Sequence, residues 1–344
     1  MIEISGLTKV YPKTSGRRDR GVTTVLDGID LVVGDAQIGA VVGPSGAGKS
    51  TLARCINLLE QPTSGSIVVK GQDLTGLSRK ELRSARRQIG TVFQSANLLR
   101  RLTAAQNVAL PMRHAGLPDD EVLRRVHDLL DRVGMLHRAN HYPSQLSGGQ
   151  RQRIGIARSL ALRPSVLLSD EATSGLDPDT TRAILGLLAE LRDDLGVTIL
   201  VITHEMDVVR SIADVVFQLD HGRIIEHGPV AEVVRRSDSA LSRALLPVPP
   251  AAGPGELRRW QVRYATDEVA PTWLTAVGAD LGVPVAVLAA LVEEAGDSAV
   301  GRLTLGFPGD LEDAAVAAVL ERHGLRGSAE DAASQRDEKK DEAA

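Results

Sequence analysis

Apolar residues along the first two thirds of the chain fall into short strand-like runs and longer helix-like runs that alternate, which predicts an α/β sheet. Val25 to Val33 reads as a strand, and Gln37 to Val42 (QIGAVV) as a buried strand ending at Gly43. A helix is predicted from Lys49 to Glu60, and Gly65 to Lys70 returns as a strand. Val122, Val126, Leu129, Leu130 and Val133 recur at helical spacing, so Glu121 to Val133 is a helix with one apolar face. Gln150 to Leu162 is a second helical run. Val166 to Leu168 is a short strand that ends in acids, Thr181 to Leu195 a helix, and Val197 to Thr203 a buried strand. Val216 to His227 predicts a hairpin turning at His221 and Gly222, and Ala231 to Arg236 closes the domain.

The pattern breaks at Pro247 to Pro254, where four prolines in eight residues cannot continue a helix. Beyond it the periodicity resumes on a smaller scale. Leu257 to Ala265 reads as a strand, and Ala270, Trp273, Leu274, Val277 and Leu281 share a helical face. Val285 to Val292 suits helix or strand equally. Arg302 to Phe307 reads as a strand and Leu311 to Leu320 as a helix. From Ser328 the chain is Ala-rich and charged, the composition of a disordered tail. The expected organisation is a domain at 1–240, a Pro-rich linker at 241–255, a small α+β domain at 256–326 and an acidic tail at 327–344.

Composition narrows the class. A chain of 344 residues suits one large and one small domain. Its 43% apolar and 24% charged content is that of a globular protein, and the net charge of −4 is interspersed, which gives no support for nucleic-acid binding. The one cysteine, Cys55, excludes a disulfide framework and fits a reducing compartment. It reads as a small buried apolar side chain. The first twelve residues have no apolar signal region, and no run reaches the 18 or so apolar residues that span a bilayer. An Arg-rich stretch, Ser15 to Arg20, reads as an exposed loop.

Three stretches carry chemistry. Gly43, Pro44, Ser45, Gly46, Ala47, Gly48, Lys49 and Ser50, followed by Thr51, match the phosphate-binding pattern G-x-x-x-x-G-K-[ST]. They lie between a buried strand and a helix, where backbone N–H groups and the helix N-terminus converge on phosphate. Lys49 reaches the β- and γ-phosphates, and Ser50 holds Mg²⁺. A chance match arises in about one chain in a hundred of this length. The strand Ser165 to Leu168 runs into Asp170 and Glu171, and paired acids at a core edge are costly without a partner. Asp170 suits magnesium held through water, and Glu171 suits the base that activates the attacking water. Leu146, Ser147, Gly148, Gly149 and Gln150 open the helix that continues with Arg151.

In this order the three stretches resemble the ATP-binding subunits of ABC transporters, over residues 2 to about 240. The resemblance implies a P-loop ATP-binding cassette: a RecA-like core, an antiparallel subdomain and a helical signature subdomain. It implies that Tyr11 stacks on adenine, that Gln94 contacts magnesium and links to a membrane subunit, and that Ser147, Gly148, Gly149 and Gln150 form the signature loop. It further implies that Asp177 belongs to the loop Ser174 to Asp177 at the nucleotide, and that His204 acts on the γ-phosphate. Such cassettes work as homodimers packed head to tail, the signature loop of one closing over the ATP of the other.

Longer strings resemble the methionine-import members of the family: Arg54 to Glu60, Arg86 to Gly90, Asn97 to Leu99, Asp170 to Ser174, and Thr203 to Val209. In that subfamily a ferredoxin-like βαββαβ regulatory domain follows the cassette and in some members binds methionine. Residues 256 to 324 match its first five elements, with the last strand absent or very short. The resemblance implies a peripheral subunit on the cytoplasmic face of the membrane. Its partners would be integral-membrane permease subunits and, indirectly, an extracytoplasmic substrate-binding protein. The permease would dock near Ser95 to Met112, where Leu98, Leu99 and Leu102 read as exposed. Two alternatives stay open: an importer of another amino acid, and a non-transport ABC ATPase that drives a membrane partner mechanically.

Overall fold

A computed structural model describes residues 1–12, 21–236, 239–247, 257–295 and 298–329. In chain order the first unit contains β1 (Ile2–Pro12), β2 (Val22–Val33), β3 (Ile38–Val42), α1 (Lys49–Ile56), β4 (Ser64–Val69), β5 (Gln72–Asp73), α2 (Arg79–Ala85) and β6 (Ile89–Phe93). It continues with α3 (Ala104–His114), α4 (Asp119–Arg132), α5 (Gly148–Ser159), β7 (Val166–Asp170), α6 (Pro178–Leu195), β8 (Thr198–Thr203), α7 (Met206–Ile212), β9 (Val215–Asp220) and β10 (Arg223–Pro229).

Two sheets organise this unit. β2, β1, β4 and β5 form an antiparallel sheet in that order, and β10, β9, β3, β8, β7 and β6 form a sheet that is parallel except at its β10 edge. The parallel strands read as unbroken apolar runs because both faces are covered. Along β8, Ile199 and Val201 point into one core, while Leu200 and Ile202 point into the other. The first core joins the sheet to α3, α4, α5 and α6, and the second joins it to the antiparallel sheet and α1. Val122, Val126, Leu129 and Leu130 are the buried stripe of α4, each worth about 1.5–3 kcal/mol on burial.

The predicted helix from Lys49 stops at Ile56, four residues short of Glu60, because Leu58 turns left-handed (φ 57°). The His221–Gly222 hairpin forms as the pattern predicts.

The chain divides into compact units at Pro229 and Val230, so the first unit ends eleven residues before the expected boundary at 240. The second unit holds α8 (Val230–Val233), α9 (Ala240–Leu245), β11 (Leu257–Ala265), α10 (Trp273–Leu281), β12 (Ala286–Ala295), β13 (Ser298–Pro308), α11 (Asp313–Arg322) and β14 (Arg326–Ala329). Part of the expected linker, 241–255, is therefore helical and anchored. Arg263 donates to Ser242 Oγ at 2.7 Å, Arg302 donates to Leu246 O at 2.9 Å, and Leu241, Leu245 and Leu246 are fully buried.

The strands order as β12-β13-β11-β14, all neighbours antiparallel, with α10 and α11 between them in the chain. This is the βαββαβ topology expected from the sequence. The ambiguous stretch resolves as strand β12, because pairing along β13 outweighs the helical propensity of its Ala and Leu residues. The last strand is present and short: β14 pairs with β11 from Arg326 to Ala329. The first three residues of the expected tail are thus strand. The rest of that tail, the Arg-rich stretch 15–20 and most of the proline run lie outside the described residues.

Candidate functional site

The site is built by strand register. β3, β8, β7 and β6 lie side by side, with Val42 opposite Thr203, Ile202 opposite Asp170, and Asp170 opposite Phe93. The residues that leave these strands, Gly43, His204, Glu171 and Gln94, therefore emerge along one edge. That edge is the carboxyl end of a parallel sheet, where such folds bind ligands.

Gly43 opens the phosphate loop where β3 passes β9. A Cβ there would stand 2.0 Å from Leu219 O, so only glycine fits. Gly43 and Ala47 are buried, while Pro44, Ser45, Gly46 and Ser50 are exposed, and Gly48, Lys49 and Thr51 are half-buried. Lys49 Nζ donates to Gly43 O at 2.6 Å and to Pro44 O at 2.8 Å, which pulls the ammonium back across the loop. Leu52 N–H donates to Gly48 O, so α1 starts at the loop and its first N–H groups are left facing it.

Asp170 and Glu171 follow β7. Burial pushes the Asp170 carboxyl above the usual carboxylate range, and the charge on Glu171 pushes it further, partly offset by Arg54 and Lys49. Glu171 is left-handed (φ 48°) and is held there by its N–H on Ile202 O and by Ser174 N–H on its own carbonyl. Its Oε1 lies 3.2 Å from His204 Nδ1. Gln94 Nε2 donates to Ser174 Oγ at 3.3 Å.

Two predicted site residues act as helix caps. Ser147 caps α5: its Oγ accepts from Gln150 N–H, and Gln150 Oε1 accepts from Ser147 N–H. The Gln150 side chain, expected at nucleotide, is thus engaged in the cap. Asp177 caps α6, accepting from Thr180 N–H at 2.9 Å and from Thr180 Oγ1 at 2.6 Å, bonds that hold its carboxyl below the ordinary value. Among the described residues, no hydrogen bond joins Ser147 to Gln150 with the phosphate loop.

Tyr11 ends β1 with its hydroxyl on Glu60 and its ring under the Lys9 ammonium, 5.0 Å from the centroid. Burial and the Glu60 hydrogen bond raise its phenol, while a hydrogen bond from Thr51 lowers it, which puts Tyr11 beside the first turn of α1. Sequence reasoning did not single out Glu60 or the Ser174 hydroxyl. Their contacts cross 49 and 80 residues, and no local spacing encodes them.

The residues fit a triphosphate and its cation. The loop offers an ammonium that, among the described residues, is bonded to carbonyls, and burial disfavours an uncompensated charge on Asp170, beside the Glu171 carboxyl. No cluster of His, Cys, Asp and Glu suited to holding a metal by protein ligands alone occurs among the described residues. Cys55 is fully buried, as its sequence context implies.

Residues 26–174 match the ABC transporter family. The methionine import ATP-binding protein MetN 1 of Rhodococcus jostii is 52% identical over 95% of this chain and 95% of its own length. The methionine import ATP-binding protein of Streptomyces avermitilis is 46% identical over 91% and 90%. The cassette MJ0796, solved as a dimer in a post-hydrolysis state bound to ADP and Pi, is 34% identical with a TM-score of 0.59, over 67% of this chain and 98% of its own. CbiO1 of Clostridium perfringens, part of an ABC transporter complex, is also 34% identical, with a TM-score of 0.62 over 68% and 90%. The fold, the strand-end site and the identity along nearly the whole length agree: this chain is an ABC-type ATPase and belongs to the family of methionine import ATP-binding proteins.

Proposed function

We infer that this chain is the ATP-hydrolysing subunit of a methionine importer. The observation that carries the substrate is the 52% identity to a methionine import ATP-binding protein, which runs through the second unit as well as the cassette. The phosphate loop Gly43 to Thr51 binds the ATP phosphates, with Lys49 leaving its carbonyls for the γ-phosphate. Ser50, Gln94 and Asp170 would hold Mg²⁺. The ion, when bound, neutralises phosphate charge. Glu171 accepts the proton of the attacking water, His204 orients Glu171 and meets the γ-phosphate, and Tyr11 packs on the adenine.

The protein works as a head-to-tail homodimer. Ser147 Oγ already accepts one hydrogen bond, so its own hydrogen is free to donate to the partner's nucleotide. Gly148 and Gly149 lie in the first turn of α5, where backbone N–H groups have no partner within the helix and can face the same phosphate. Asp177 caps α6 beside that interface. Permease subunits dock on the segment after Gln94, where Leu99 is 48% exposed and Leu98 and Leu102 are half-buried. Among the described residues no helix is long and apolar enough to cross a membrane. The likeness to methionine import ATP-binding proteins supports a peripheral place at the cytoplasmic face. A substrate-binding protein outside the cell would deliver methionine to the permease. The βαββαβ unit would sense methionine inside.

Uptake of labelled methionine in cells lacking this chain is the direct test. The native chain should restore uptake and Lys49→Ala should not. Restoration of a different amino acid alone would overturn the substrate. Trp260 and Trp273, both buried in the second unit, report on sensing separately. A saturable change of their emission with methionine, and with no other amino acid, is expected.

A further inference from the structure

Helix α5 carries the Ser147 to Gly149 loop at its N-terminus and the seat of the Gln94 segment along its flank. Gln152, only 2% exposed, donates from Nε2 to Phe93 O at 3.1 Å. One turn on, Gly155 leaves room for Ala96; a Cβ there would come within 3.1 Å of the Ala96 Cβ. One turn further, Arg158 Nη2 donates to Ala96 O at 2.6 Å and Nη1 to Asn97 O at 2.8 Å. Positions 152, 155 and 158 recur every three residues and so share a face of the helix. That face binds the backbone on both sides of Gln94.

The support has a physical reason. Ala96 (φ 55°) and Asn97 (φ 45°) are consecutive left-handed residues, a conformation that costs a non-glycine residue roughly 1–2 kcal/mol. Only neighbours that over-determine the backbone keep it there. The planar guanidinium of Arg158 is matched to two adjacent carbonyls, which a single ammonium cannot bridge in the same geometry.

We propose that Gln152 and Arg158 are positioning residues for Gln94: they clamp residues 93–97 onto α5, so that the Gln94 amide stands in the strand-end row and moves as one body with the Ser147 to Gly149 loop. This rests on the reading of Gln94 as a contact of the Mg²⁺–ATP complex. Gln152 and Arg158 then tie the segment after Gln94 directly to the helix that carries the Ser147 to Gly149 loop.

The test uses the full chain and the variants Arg158→Ala, Arg158→Lys, Gln94→Ala and the double variant Gln94→Ala with Arg158→Ala. kcat, ATP affinity and the Mg²⁺ dependence of hydrolysis are measured for each. Arg158→Ala should lower kcat by roughly 100-fold, the cost of misplacing a group by about 1 Å. It should raise the Mg²⁺ needed for half-maximal rate and leave ATP affinity near native. Arg158→Lys should recover part of the loss, and the double variant should be no slower than Gln94→Ala alone. Losses that multiply in the double variant would overturn the proposal while leaving the Gln94 reading intact. Native hydrolysis in Gln94→Ala would overturn both. If Arg158→Ala fails to fold, Gln152→Met, which removes the donor to Phe93 O and keeps its length, should show the same non-additivity with Gln94→Ala. Multiplying losses there refute the clamp equally.

Discussion

Replacing Glu171 by Gln isolates the proposed base with little structural disturbance. The side chain keeps its length, and its oxygen can still accept from His204 at the present 3.2 Å. The left-handed backbone at 171 is fixed by its own N–H and C=O bonds, which the substitution leaves alone. The contact with His204 is partly solvent-facing, 54% and 31% exposed, so losing the carboxylate there costs no more than about 1 kcal/mol of stability. Catalysis should respond on a different scale. A positioned general base is worth roughly 10²–10⁴ in rate, or about 3–5 kcal/mol of barrier. Binding should move the other way. The Glu171 charge is the second-largest cause of the raised Asp170 carboxyl, so a neutral amide in its place leaves Asp170 more readily ionised and the cation better held. Single-turnover phosphate release and Mg²⁺–ATP titration measure the two effects, and gel filtration with ATP should show a trapped dimer. Hydrolysis within about 10-fold of native, less than the contribution of any positioned base, would refute the assignment. So would a weakened affinity for Mg²⁺–ATP.

The remaining predictions concern the scaffold. Cys55 is fully buried, and burial pushes its thiol up to about 11, so in the native state it should resist a thiol reagent at pH 8 and react fully in denaturant. Rapid native labelling would mean that the core around α1 opens. A chain ending at Pro229 should fold, bind ATP and show a cooperative melt, because both cores of the first unit are complete there. A chain ending at Leu246 should be less soluble. It retains Leu241, Leu245 and Leu246 without β11 and β13, whose Arg263 and Arg302 cap that segment, and each unburied leucine forfeits about 1.5–3 kcal/mol. Equal behaviour of the two truncations would show that residues 230–246 do not depend on the rest of the second unit.

The parallel core was legible because its strands are buried on both faces and read as unbroken apolar runs between glycine, proline and acids. The strand–loop–helix arrangement around Gly43 to Ser50 was legible because it is local, and eight consecutive residues encode it. What the sequence could not locate were contacts between distant elements. The Glu60 partner of Tyr11, the Ser174 partner of Gln94 and the Arg158 clamp join residues 49, 80 and about 60 positions apart. β12 escaped assignment because its Ala and Leu residues have no period of their own and take their conformation from β13. β14 is four residues long and polar, so only its pairing with β11 reveals it. The linker was expected at 241–255 from its prolines, whereas the boundary between units falls at Pro229, before two short helices, the second of which Arg263 and Arg302 fasten to β11 and β13.

On the proposed reading, the caps explain why one chain would hold only half of a working site. In a single chain Ser147 turns its oxygen inward to Gln150 N–H, and Asp177 is likewise turned onto Thr180. What α5 presents outward is therefore all donor: one hydroxyl hydrogen and the two N–H groups of the first turn, reinforced by the helix dipole. Among the described residues nothing in the same chain is bonded to them. On the proposed reading their acceptor is the γ-phosphate held by a second copy. Hydrogen bonds to a charged group contribute about 1.5–3 kcal/mol each, so three donors at each of two sites make up roughly 9–18 kcal/mol of gross attraction before association costs. Loss of the γ-phosphate removes that attraction from both sites while leaving each cassette folded. On the same reading, hydrolysis sets the lifetime of the closed dimer.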